Sequence, residues 1–250
     1  MANQLVGLQL YTVRDQTAQD FKRTLQSVGE IGYDGVEFAG YGGISSKEMA
    51  ACLADFNLRA LGAHVGLPAL EADIERELNY CLDIGCTHLI IPSLERKWCS
   101  AEGFRAIAPR LNEVGRRCQE RGITLCYHNH DFEFAREDGK YLLDILLDAT
   151  DAALVRLELD VYWAAYAGAD PVAYLRRHAE RVSFIHVKDM TASRTFTEVG
   201  DGILDIAGYC AAAAESGTRF LIVENDLPQI PSLESARRSH ENLRRILKQA

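Results

Sequence analysis

The sequence predicts a (β/α)8 barrel built as a single domain over residues 1–250. Three observations predict it. Short apolar runs alternate with longer helical patterns eight times, with no linker or low-complexity stretch between them. The length of 250 residues suits one such barrel. Four of the runs also end on acidic or histidine side chains, and a parallel barrel brings all its strand C-termini to one mouth. A doubly wound open sheet is the main competitor, but no Gly-x-Gly-x-x-Gly turn follows the first run.

The elements follow in order. Val6–Leu10 reads as the first strand; a helix from about Ala18 to Ile31 follows, with Thr17 as its cap and Gly32 as its stop. Gly35–Gly40 is the second strand, and Ser45 and Ser46 open a helix that runs through Phe56. Leu58–Val65 is the third, followed by a helix from about Leu70 to Ile84 that ends at Gly85. Thr87–Ser93 is the fourth, with a long helix from Ala101 to Glu120 ended by Gly122. The second half keeps the rhythm with strands at 123–130, 153–160, 181–189 and 218–226. Its helices are Tyr141–Asp148, one opened by Asp170 and Pro171, Ile203–Ser216 and Leu233–Lys248.

Composition narrows the function classes. The 48% hydrophobic content supplies a sizeable core, and the net charge of -9 argues against a nucleic-acid surface. Seven cysteines without a Cys-x-x-Cys pair suggest reduced thiols and a cytoplasmic location, and give no zinc-ligand spacing. The N-terminus has no basic segment before its apolar residues, so it reads as a strand and not as a signal peptide. No stretch approaches the roughly 18 apolar residues of a membrane span.

The strand-end residues carry the chemistry. Glu133, Asp160, His186 and Glu224 are oxygen and imidazole donors of the kind that hold Mn²⁺, Mg²⁺ or Co²⁺. Alternation along each strand gives Asp160 the same face as Glu158, His186 the same face as Lys188, and His128 the same face as Cys126 and His130. Such charges are costly in a buried strand unless paired or bound to a cation, which places them at the mouth. The bland alternatives are an aspartate capping the next helix, a surface pair of Lys188 with Asp189, and Glu37 paired with a core arginine such as Arg156.

The segments YHNHDFEF, LELDVYWA, IHVKD, VGDGILD and VEND together resemble the sugar phosphate isomerase/epimerase family of xylose-isomerase-like barrels, over essentially the whole chain. This family also holds inosose dehydratases and ketose 3-epimerases. The resemblance implies one divalent cation, Mn²⁺ before Mg²⁺, Co²⁺ or Zn²⁺, held by a glutamate, an aspartate, a histidine and a glutamate from strands five to eight. Asp160, His186 and Glu224 match the last three. On strand five the chain departs from the pattern: either Glu133 folds back to be the ligand, the expected case, or His128 replaces it.

It further implies a sugar or keto-polyol substrate and proton abstraction beside a carbonyl through a cation-stabilised enediolate. Glu133 and Glu224 are the expected proton carriers, with His130 and Lys188 as acid or hydrogen-bonding groups. His128, His64, Glu37, Gln9 and Trp163 are expected to bind substrate. Isomerisation or epimerisation is the leading outcome and dehydration the nearest alternative. A repair endonuclease and a sugar sensor without catalysis are the other classes weighed. No nucleic-acid or membrane partner is expected, and a homo-oligomer is compatible with the resemblance.

Overall fold

The computed structural model describes residues 4–249. Eight parallel strands close a barrel: β1 (Leu5–Gln9), β2 (Gly35–Phe38), β3 (Arg59–His64), β4 (His88–Ile91), β5 (Thr124–His128), β6 (Val155–Asp160), β7 (Val182–Val187) and β8 (Phe220–Val223). They neighbour one another in sequence order, and β8 closes on β1 through Leu5↔Phe220 and Leu8↔Val223. Closure leaves no open edge, and the βα connections lay helices over the outside.

Those helices are α1 (Phe21–Ile31), α2 (Ser46–Asp55), α3 (Leu67–Asp83), α4 (Ala101–Glu120), α5 (Leu142–Ala149), α6 (Val161–Tyr166), α7 (Pro171–Arg177), α8 (Ile206–Glu215) and α9 (Ser232–Gln249). Ser45, Ser100 and Asp170 cap α2, α4 and α7 by accepting backbone N–H bonds. Thr17 does not cap α1: its hydroxyl turns back to the carbonyl of Arg14, and Asp20 is the cap. A 3₁₀ turn and a short helix at 10–17 come first, so α1 starts three residues later than the sequence suggests. Helix α6 was not expected; it starts directly off β6 because Asp160 caps it.

Two apolar layers fix the barrel. One lies between strands and helices. The other fills the floor of the barrel with Leu61, Ile90, Cys126, Phe184 and Ile222. From that floor, steps of two residues climb to the mouth: Cys126, His128 and His130; Phe184, His186 and Lys188; Ile222, Glu224 and Asp226. His88 packs its ring edge-on to Phe184 at 4.7 Å within this floor.

The register shifts in two places, between Val36 and Glu37 against β3 and between Leu157 and Glu158 against β7. Such bulges re-aim a side chain, and both precede a buried glutamate.

Candidate active site at the barrel mouth

Three of the four expected ligands converge. Asp160, His186 and Glu224 each offer one donor atom within 4.8 Å of the others, and all three are buried. Asp160 divides its carboxylate between two tasks: Oδ1 accepts the N–H of Trp163 at 3.0 Å to cap α6, while Oδ2 is buried and faces the Lys188 ammonium at 3.0 Å. His186 Nδ1 lies 2.9 Å from Glu224 Oε2. Two buried carboxylates converging with an imidazole fit a hard divalent cation.

Lys188 joins this set. Its ammonium lies 2.6 Å from Glu224 Oε2, 3.0 Å from Asp160 Oδ2 and 3.0 Å from Asp226 Oδ2. Burial disfavours the charge, but the three carboxylates outweigh it and hold the Lys188 pKa well above the lysine range. Burial likewise opposes ionisation of Glu224, yet Lys188 and His186 bring its pKa down. Lys188 is therefore no surface partner of Asp189. Asp189 accepts the N–H groups of Gly200, Gly202 and Leu204 and so pins the loop at Val199–Asp205.

Glu133 lies elsewhere. Its Oε1 accepts the Tyr127 hydroxyl at 2.6 Å and its Oε2 the backbone N–H of His130 at 2.7 Å. It belongs to neither grouping of metal-capable donors. Burial raises its pKa to about 7 against the pull of these two hydrogen bonds. His128 stands at the strand-five level instead, with Nε2 3.8 Å from Asp160 Oδ2.

Below the upper set lies a second grouping: His64, His128, Glu158 and His186. Glu37 joins it through His64 Nε2 at 2.9 Å and His186 Nε2 at 2.8 Å, so histidines rather than Arg156 are its partners. Gln9 donates from Nε2 to Glu37 Oε1 at 2.7 Å and is fully buried. Gln9 and Glu37 thus sit beneath the cavity and not on its wall. Burial opposes the charge on His64, but Glu37 and Glu158 raise its pKa to about 9. His128 is held neutral, its pKa well below the usual range, by burial and by the charge of His186.

Above both groupings opens a cavity of about 600 Å³ lined by His64, His128, His130, Lys188, Glu224 and Asp226, with Tyr11 and Leu227 at its lip. The Trp163 ring lies 5.8 Å from that of His130 and 5.7 Å from Lys188 Nζ. Glu158 and Asp226 were not singled out from sequence as site residues. The signal for both was their two-residue spacing from Asp160 and Glu224. Burial and the charge of Glu224 raise Asp226 to about 6.

Known proteins share this fold and part of this sequence. The model of the xylose isomerase-like TIM barrel family matches residues 25–246. The chain is 26% identical to rhizopine catabolism protein MocC of Rhizobium meliloti, covering 90% of this chain and 81% of that protein. It is 27% identical to an inosose dehydratase of Geobacillus kaustophilus, covering 84% and 80%. A sugar phosphate isomerase/epimerase of Parabacteroides distasonis has the same fold with a TM-score of 0.85 at 24% identity, covering 96% and 93%. With that family's model matching most of its length, the chain belongs to the xylose isomerase-like TIM barrel family.

Proposed function

We propose that this protein removes a proton beside the carbonyl of a keto-polyol and expels the neighbouring hydroxyl as water. One observation carries the elimination: Glu133 is tied to Tyr127 and His130, so the strand-five wall faces the cation set with nitrogen groups instead of a second carboxylate. The inosose dehydratase relative supports the same outcome, since an inosose is a keto-polyol. Asp160, His186 and Glu224 would hold one divalent cation, which supplies charge to polarise a carbonyl and acidify its neighbouring C–H.

The side chains divide the remaining work. His130 presents a buried Nδ1 without a partner at the cavity wall, and burial with the charge of Lys188 keeps its ring neutral. A neutral imidazole can take the carbon-bound proton and hand it to the departing hydroxyl. Lys188 stays charged and stabilises negative charge developing on the substrate oxygen. No cluster of arginines lines the cavity, so an unphosphorylated substrate fits best.

A second reading, isomerisation or epimerisation, is favoured by one feature. His130 follows β5 and Glu224 follows β8, three positions apart around an eight-stranded ring, so two proton carriers flank the site from different sides. Incubating the Mn²⁺-loaded protein with a keto-inositol in D₂O and following products by NMR separates the readings. Elimination yields a dehydrated product; epimerisation keeps the skeleton and exchanges the α-proton. Neither signal across a panel of keto-inositols and keto-sugars would sink both.

A further inference from the structure

Glu37 and Glu158 form a pair that the expected cation site does not use. Both are fully buried in the barrel, and each follows one of the two register shifts. His186 Nε2 faces both, 2.8 Å from Glu37 Oε1 and 3.2 Å from Glu158 Oε2. His64 Nε2 bridges the same two oxygens at 2.9 and 2.8 Å. Gln9 adds a third donor on Glu37. Space for the pair is built in as well: a Cβ on Gly62 would lie 2.7 Å from Glu37 Oε2, inside contact distance.

Two carboxylates this deep persist only where donors compensate them. Here the donors are the Nε2 edges of His186 and His64. The opposite edge of His186 faces Glu224 on the side of Asp160. One imidazole therefore connects the two layers, carboxylates below and cation donors above. We propose that Glu37 and Glu158 are positioning residues: they fix the proton of His186 on Nε2, which orients the ring and leaves Nδ1 as the electron pair for the cation. His64 completes the clamp and couples it to the cavity wall. A carboxylate behind a metal-bound histidine raises its basicity and fixes its tautomer, and losing one costs about 10–100-fold in cation affinity.

The inference rests on the cation proposed above, and the test separates the two. Elemental analysis and chelator competition are run on the wild type, Glu37→Gln and Glu158→Gln, with the visible spectrum of the Co²⁺-loaded proteins. The expected result is one cation per chain in all three, bound about 10–100-fold more weakly in the variants, with a shifted Co²⁺ spectrum. A role in folding alone would lower the melting temperature and leave affinity and spectrum unchanged, which overturns the inference. Two cations in the wild type and one in Glu158→Gln would also overturn it, because the pair would then be a ligand set itself. A wild type that takes up no cation overturns the reading beneath as well. Should the variants not fold, ¹⁵N-histidine NMR of the Zn²⁺-loaded wild type decides: a proton on Nε2 of His186 is expected, and one on Nδ1 refutes the assignment.

Discussion

Lys188 Nζ lies 2.6 Å from Glu224 Oε2, so an ammonium rests on one of the carboxylates offered to a divalent cation. It also reaches Asp160 Oδ2 at 3.0 Å. Two cations on shared oxygens compete. Replacing Lys188 with Met removes the rival charge from a buried site, and a roughly tenfold tightening of Mn²⁺ binding is expected, worth about 1.4 kcal/mol. Turnover should fall by about 10²-fold or more, because in the proposed reaction the same charge would stabilise the substrate oxygen. Chelator competition and steady-state rates check both. Weaker Mn²⁺ binding in the variant would show that Lys188 organises the carboxylates rather than competing for them.

Asp160 has one oxygen in the helix cap and one in the site. Asp160→Asn keeps an acceptor for the Trp163 N–H, whereas Asp160→Ala removes it. Both should lose the cation and activity. Urea unfolding of the chelated proteins should find the Ala variant about 1 kcal/mol less stable than the Asn variant. Equal stabilities would mean that the cap contributes nothing.

Glu133 links stability to pH. Burial raises its pKa from 4.5 to about 7, so the folded state binds a proton that the unfolded state releases near 4.5. Its contribution is greatest below about pH 4.5, declines as pH rises to about 7 and is constant above. The full change is about 3 kcal/mol. Glu133→Gln mimics the protonated group, so unfolding curves at pH 5 and pH 8 should show the variant gaining on the wild type at the higher pH. A constant difference between the two proteins would refute the shift.

Gly62→Ala tests the space around Glu37. The added carbon would meet Glu37 Oε2 and Ile90 Cδ1, each at 2.7 Å. Overpacking of this kind costs about 1–3 kcal/mol. Thermal unfolding should show that loss, and cation affinity should fall with it because His186 loses its support. An unchanged melting temperature would show that the floor of the barrel yields easily.

Much of this was legible in the chain itself. Strand order, the eightfold repeat and the convergence of Asp160, His186 and Glu224 follow from alternation and from apolar runs with a charged end, both local properties. The caps at Ser45 and Asp170 were readable for the same reason. Tertiary structure decided the rest. Glu133 turns to Tyr127 and a backbone N–H because a 3₁₀ turn at Phe132–Phe134 follows the strand, which its spacing from His128 could not reveal. Glu37 and Glu158 meet only because register shifts on opposite sides of a closed barrel aim them at the same two histidines. A side chain's partners across a barrel depend on stagger between strands distant in sequence, and periodicity within one strand carries no record of that stagger.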